Sequence, residues 1–251
     1  MHTPPPSGPT APDPFADAVR NALATEHRHL AQTSGLATKY PADIAPFAVI
    51  TANSPEALID LRALLAPGEH TWLMHHAPPA VPGLAHDTSI ACLQMLYPRE
   101  LPLPEVKQET KQEATLLPLH SAHAAQMLAL TDIAFPGFFR PRTHVMGHYF
   151  GIRDAHGQLI AMCGERLICS DPTQPDQPVY REISALCTHP DHRGHGYAAQ
   201  LLRKLISVQR ALDAASVLHV ASTNTAAIAL YHRLGFLTLR EVTLHRLTRT
   251  D

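Results

Sequence analysis

Leu186-Cys187-Thr188-His189-Pro190-Asp191-His192-Arg193-Gly194-His195-Gly196-Tyr197-Ala198 runs from an apolar strand, through a glycine-containing loop, into an amphipathic helix. A loop of this kind at a helix start offers free backbone N–H groups and the positive end of a helix dipole, which together take an anion, most often a phosphate. Upstream, residues 179–188 read as a strand in which Ile183, Ala185, Leu186 and Cys187 are apolar, and Pro190 ends it. Downstream, Ala198, Leu201, Leu202, Leu205, Val208 and Leu212 recur at helical spacing, while Gln200, Arg203, Lys204, Ser207 and Arg210 face away. Gly194 and Gly196 let the backbone take positive φ and approach a ligand, and Ala198 keeps the first helical turn thin. Rival phosphate loops are excluded on residue grounds. No Gly-Lys-Ser/Thr follows to hold a triphosphate and its magnesium, and the dinucleotide-type Gly-x-Gly-x-x-Gly is absent, so coenzyme A fits better than ATP or NAD.

A second constellation lies about thirty residues on. The strand Val217-Leu218-His219-Val220-Ala221 is followed by Asn224 and a short helix carrying Ala227, Ile228, Leu230, Tyr231 and Leu234, closed by Gly235-Phe236. Asn224 is a good helix N-cap, and Gly235 suits the left-handed position just past the helix, with Phe236 folding back. Asn224, Ala227 or Ile228, and Tyr231 share one helix face, which can line a site.

The pattern Arg193-x-x-Gly196-x-Ala198 resembles the Arg/Gln-x-x-Gly-x-Gly/Ala signature of the GNAT superfamily of acyl-CoA-dependent N-acetyltransferases. Asn224-x-x-Ala227/Ile228 with Tyr231 and Gly235-Phe236, after its strand, resembles the last motif of the same enzymes at the expected distance, and the resemblance covers roughly residues 112–248. It implies a strand at Leu186, Cys187 and Thr188 that splays from its neighbour and pairs its backbone with the pantetheine arm and acyl carbonyl of acetyl-CoA. It further implies that Arg193, Gly194, His195, Gly196, Tyr197 and Ala198 surround the pyrophosphate. Asn224, with Ala227 on its face, would touch the CoA arm, and Tyr231 would stand near the thioester sulfur.

Acyl transfer to an amine needs an uncharged nucleophile, backbone donors for the oxyanion and a proton for the leaving thiolate. Tyr231 is the candidate acid; the competing reading makes it a half-buried aromatic packing its helix on the sheet. Glu182 is the candidate base, because period-two counting puts Glu182, Ser184, Leu186 and Thr188 on one strand face. The alternatives are a strand-edge carboxylate paired with Arg181 or Arg240, and a reaction that needs no dedicated base.

The chain has 251 residues, 45% of them hydrophobic, enough for one large domain or two small ones, and its formal charge of −2 is spread along the chain. Neither a nucleic-acid patch nor a polyanionic tail is present. Residues 1–14 are proline-dense with little apolar bulk and are expected to be disordered. Without a signal-peptide pattern or a membrane-length apolar run, the chain reads as a soluble cytoplasmic protein. Cys92, Cys163, Cys169 and Cys187 have no Cys-x-x-Cys spacing and suit buried free thiols; a nucleophilic Cys187 is outweighed by its strand-interior position. His189, His192 and His195 recur every third residue, but Pro190 and two glycines interrupt any helix that would converge them, so no metal is expected. His192 or His195 beside the phosphates is the milder reading.

Residues 111–251 carry the elements of a GNAT domain in order: a strand at 114–119, a helix at 121–135 with Ala124, Met127, Leu128 and Ile133 inward, and a hairpin of 147–153 and 158–169 about Asp154-Ala155-His156-Gly157. One or two strands close the chain over 236–247, and Phe138, Phe139, Arg140 and Arg142 either meet an acceptor bearing an aromatic or carboxylate group or pack as a lid. Residues 15–110 read as a smaller auxiliary α/β lobe. It has strands at 47–51, 71–75 and 89–96 and a helix started by Ser54-Pro55, and the boundary falls near 98–111. The expected architecture is therefore α/β (α+β): a GNAT fold with a mixed, mostly antiparallel central sheet flanked by helices, preceded by that lobe. The leading function is acetyl transfer from acetyl-CoA, without a metal, to a primary amine of a small molecule or peptide; a non-catalytic CoA-binding sensor or scaffold is the alternative, and a homodimer is left open.

Overall fold

The computed structural model describes residues 15–75, 77–105, 115–170 and 179–251. Residues 1–14, read as a disordered tail, and the part of the expected linker beyond residue 105 lie outside the described residues. In chain order the elements are α1 (Ala18–Ala24), β1 (Gln32–Ser34), β2 (Ala37–Lys39), β3 (Ala48–Ile50), α2 (Pro55–Leu64), β4 (His70–Met74), β5 (Leu84–Tyr97), β6 (Leu116–Leu119), α3 (Ala124–Ala134), β7 (Tyr149–Arg153) and β8 (Leu159–Cys169). They continue with β9 (Tyr180–Thr188), α4 (Tyr197–Ala211), β10 (Ala215–Ala221), α5 (Thr225–Arg233) and β11 (Leu237–Arg249).

The local signals act where the residues place them. Ser54 caps α2 by accepting from the Ala57 N–H at 3.3 Å, with Pro55 at the first helical position. Asp154 accepts from the N–H groups of His156 and Gln158 in the β7–β8 turn, and Gly157 takes φ +79° there. At the end of α5, Gly235 takes φ +104° and the Phe236 N–H returns to the Tyr231 carbonyl at 2.9 Å.

Eight strands form the main sheet in the order β4-β11-β5-β10-β9-β8-β7-β6, and β1-β2-β3 form a small antiparallel sheet beside it. Within the main sheet β9 and β10 are parallel, and the other neighbouring pairs are antiparallel. The mixed, mostly antiparallel sheet flanked by helices is the architecture expected from the sequence. The segment read as an auxiliary lobe supplies β4 and β5 to this same sheet, and β5 lies between β10 and β11. β11 is one long strand, paired with β5 from Leu237 to Arg249 and with β4 from Leu244 to Thr248.

Adjacent strand residues face opposite sides. Leu218 packs with Leu201, Leu202, Leu205 and Ile206 of α4 and with Tyr231 of α5, whereas Val217 packs with Ala18, Val19 and Ala22 of α1. Burying each of those three α4 leucines and the isoleucine contributes roughly 2 kcal/mol. α3 covers the far end of the α1 side through Met127 and Leu130, against Leu119, Tyr149, Met162, Ala185 and Cys187. Its stripe differs from the expected one: Leu130 and Thr131 are buried while Ile133 is 55% exposed, because Leu130 and Thr131 follow the buried Met127 at i+3 and i+4, whereas Ile133 at i+6 lies about 120° round the helix. Among the described residues no helix is long and apolar enough to cross a membrane.

Candidate active site

The site begins where two parallel strands part. β9 and β10 pair from Tyr180 with Ala215 to Ile183 with Leu218 and no further. Beyond that point β9 stays on β8 as far as Thr188, and β10 stays on β5 as far as Ala221. A wedge opens between them, walled by the backbone edges of residues 184–188 and 219–221, whose polar groups have no partner strand across the gap. At its apex Ala185 takes φ +53°, a left-handed conformation that costs a non-glycine residue about 1 kcal/mol or more, and the β8 register slips between Met162 and Gly164.

That bulge corrects the period-two reading of β9. Ile183 and Leu186 both pack on the α4 side, whereas Ala185 and Cys187 pack on the α3 side. Glu182, which precedes Ile183, therefore does not share a face with Leu186: the extra residue shifts the alternation by one.

Both splayed strands deliver their chain to the same edge of the sheet, since α4 and α5 each start after a strand's C-terminal end. The loop after Thr188 passes through a 3₁₀ turn, Pro190–His192, and two left-handed glycines, Gly194 at φ +81° and Gly196 at φ +72°. Gly196 is the N-cap of α4 and no side chain caps that helix, so the first-turn N–H groups point outward from an exposed loop. Space around Gly194 is open, Arg193 donates from Nε to the Thr188 carbonyl at 3.4 Å, and the His195 ring stacks on Tyr197 at 5.5 Å. A diphosphate fits this uncapped, positively polarised start. At the second edge Asn224 Oδ1 caps α5 by accepting from the Ala227 N–H at 3.2 Å, and Ala227 and Ile228 lie half-buried on the face shared with Tyr231.

Tyr231 packs against Phe236 with ring centroids 5.5 Å apart on the α4 side of the sheet. Burial pushes its phenol up to about 12, with the Cys163 thiol adding to the rise, so it stays protonated across the neutral range. Its hydroxyl makes no hydrogen bond among the described residues.

Glu182 lies on the opposite side, fully buried, inside a polar array. Arg166 donates to it through both Nε, at 3.0 Å, and Nη2, and His219 Nδ1 stands 2.8 Å from Oε1. Burial alone would raise the carboxyl; Arg166 and then His219 outweigh it and hold the group at about 2. The sequence alternative of pairing with Arg181 or Arg240 gives way to Arg166 and His219, since Arg181 binds the second buried carboxylate, Glu165, at 2.8 Å. The array continues from His219 Nε2 to Gln94 Nε2 at 2.9 Å, and Gln94 Nε2 donates to the Phe15 carbonyl at 3.0 Å. Sequence reading missed Arg166, His219 and Gln94; the signal was weak, a polar residue set among apolar ones in each of three strands that also carry other polar residues, such as Glu165 beside Arg166.

Other candidates resolve simply. All four cysteines are free and buried, and burial raises the Cys187 thiol to about 12, which leaves it packing rather than reacting. Among the described residues no three His, Cys, Asp or Glu side chains are grouped to hold a metal ion. Phe138 stacks on Trp72 at 5.3 Å, Phe139 is buried against Tyr149, Arg140 contacts His70 and Arg142 pairs with Asp43, so this segment packs rather than faces an acceptor.

A sequence model of the Acetyltransferase (GNAT) family matches residues 118–236. Among solved structures, a protein of Novosphingobium aromaticivorans described as an acetyltransferase from the GNAT family is 30% identical, with 96% of this chain and 100% of that chain covered and a TM-score of 0.79. A GCN5-related N-acetyltransferase of Kribbella flavida shares the fold at 18% identity over 93% and 96% of the two chains, with a TM-score of 0.58. A tandem GNAT protein from the clavulanic acid biosynthesis pathway does so at 14% identity over 86% and 78%, with a TM-score of 0.52. No curated protein matches the chain.

Proposed function

The chain belongs to the GNAT acetyltransferase family, and from that premise we propose that it transfers acetyl from acetyl-CoA to a primary amine of a small molecule or peptide. The observation that carries this reading is the wedge between β9 and β10, bounded on one edge by the uncapped glycine start of α4 and on one side by the protonated Tyr231.

In this reading the diphosphate lies against Arg193, Gly194, His195, Gly196, Tyr197 and Ala198, where backbone donors and the helix dipole meet negative charge without a metal. The pantetheine arm runs in the wedge as an added strand beside Leu186, Cys187 and Thr188, with Asn224 and Ala227 along its other edge. Strand-edge N–H groups then face the thioester carbonyl and stabilise its oxyanion. Tyr231 gives its proton to the departing sulfur. Glu182, buried in its ion pair and held at about 2, is too weak a base to draw a proton itself; it acts by holding its neighbours.

The test is calorimetric titration with acetyl-CoA, followed by free-thiol release across a panel of primary amines. Saturable binding with amine-dependent release supports the reading. No binding refutes it, and binding without release from any amine assigns the chain to the CoA-sensing alternative.

A further inference from the structure

His219 is the first residue of β10 past its last pairing with β9, so it stands at the apex of the wedge. It projects to the α1 side, where its ring lies 4.7 Å from that of Phe15, opposite to the side that holds Tyr231. Its hydrogen bonds fix its tautomer. The Phe15 carbonyl can only accept, so the Gln94 amide must present Nε2 to it, and the second N–H of that nitrogen points at His219 Nε2. His219 Nε2 is therefore the lone-pair nitrogen, and Nδ1 carries the proton toward Glu182. A carboxylate orienting an imidazole whose far nitrogen accepts is the arrangement of a general base.

Two further observations mark the array as made for a ligand. Gln94 is fully buried and its Oε1 has no hydrogen-bond partner among the described residues, an expensive state that an N–H from an incoming amine would relieve. The array is also shut off by the chain itself, since Phe15 is fully buried over His219 and its carbonyl holds Gln94 against Nε2.

We propose that His219, oriented by Glu182, takes the proton from the acceptor amine, and that the segment beginning at Phe15 covers it and must move aside for the acceptor to enter. The inference rests on the acetyltransferase reading above and adds the base and its gate. Movement of the Phe15 carbonyl releases the Gln94 amide, which turns its Oε1 toward the amine and vacates the single lone pair of His219 Nε2; the amine nitrogen then bonds to the thioester carbon and its proton passes to that lone pair. The carbon–sulfur bond breaks, sulfur takes the Tyr231 proton, and imidazolium and phenolate are reset by exchange with solvent. His219 faces Glu182 on β9, which Arg166 on β8 also binds; Cys92 on β5 and Tyr40 interact electrostatically with that pair, and the α1 side presents the Phe15 ring and carbonyl beside Tyr180.

The experiment uses the full chain and diethyl pyrocarbonate, which acylates unprotonated imidazole, with the modified histidines mapped by peptide mass spectrometry. His219 is expected to react at least about tenfold more slowly than the exposed His195 in the wild type, and to approach its rate in Phe15→Ala. Phe15→Ala should raise amine-dependent thiol release, and adding His219→Gln should lower it about a hundredfold while leaving acetyl-CoA affinity nearly unchanged. Should Phe15→Ala not fold, Arg20→Ala loosens α1 at its surface anchor on the Ile50 carbonyl without emptying the core. The proposal is overturned if His219 in the wild type reacts like a surface histidine. It is equally overturned if His219→Gln leaves release unchanged, or if an uncovered variant that binds acetyl-CoA releases no more thiol than the wild type. Failure of the wild type to bind acetyl-CoA would instead remove the reading on which the proposal rests.

Discussion

Replacing Glu182 by Gln tests the buried array through stability rather than turnover. In the wild type the carboxyl is held at about 2 against an ordinary value of 4.5. At 1.36 kcal/mol per pH unit that gap corresponds to roughly 3 kcal/mol of folding stability. Because the folded value lies below the unfolded one, this contribution is fully present above pH 4.5 and is lost as pH falls toward 2. Glu182→Gln removes it and also leaves the Arg166 guanidinium, 13% exposed, without a counter-charge. Breaking one side of a buried pair costs about 3–5 kcal/mol. The Gln oxygen can still accept one Arg166 hydrogen bond, and the guanidinium keeps its seat over the Phe47 ring at 4.7 Å, so the lower end applies.

For a chain of this length, 3 kcal/mol lowers the melting temperature by about 6–12 °C. Scanning calorimetry at pH 7 and again near pH 3 reads both the drop and its pH dependence. The variant should sit well below the wild type at pH 7, and the two should converge as acid removes the wild-type carboxylate. Equal melting temperatures at pH 7, or a variant that keeps the wild-type slope between pH 4.5 and 2, would refute the reasoning.

Four further outcomes are expected. Gly196→Asp keeps the fold, since Asp tolerates φ +72° at a cost of about 1 kcal/mol, but weakens acetyl-CoA binding by more than about tenfold in calorimetry through negative charge at the helix start. Tyr231→Phe lowers turnover by about a hundredfold or more and leaves the dissociation constant for acetyl-CoA and the melting temperature nearly unchanged, which thiol-release kinetics and titration read separately. Gly164→Ala places a Cβ 2.1 Å from the buried Tyr149 ring and lowers the urea midpoint by an amount worth about 1–3 kcal/mol. His27 is lowered to about 4 by burial, with the Met146 carbonyl opposing; its unfolded form binds a proton first, so stability is full above pH 6.5 and falls by roughly 3 kcal/mol on the way to pH 4, a loss that urea titration should find missing in His27→Gln.

What the sequence made legible is what is local. The glycine loop, the Asn224 and Ser54 caps, the Gly157 turn and the Gly235 stop act within a few residues, and each lies where the chain alone puts it. Parity along β9 was lost at one residue, Ala185, whose side chain gives no sign of a left-handed conformation, and with it went the face assigned to Leu186 and Thr188. Glu182 was visible as a carboxylate in a strand, but its partners were not: Arg166 and His219 stand 16 and 37 positions away and meet it only because β8, β9 and β10 are neighbours.

The position of β5 has a consequence for the whole site. A strand inserted between β10 and β11 ties residues 84–97 into the sheet on both sides, by a ladder with β10 and a longer one with β11. Gln94 is carried on that strand and reaches the wedge apex because His219 is its register partner across the β5–β10 pair. The same contact presents Gln94 to the Phe15 carbonyl, just ahead of α1. The N-terminal residues thus do more than pack: they supply one member of the polar array and the cover over it. A register slip of one residue in β5 would turn Gln94 to the other face and leave His219 Nε2 without its donor, so stability of that ladder and geometry of the wedge are one property of the fold.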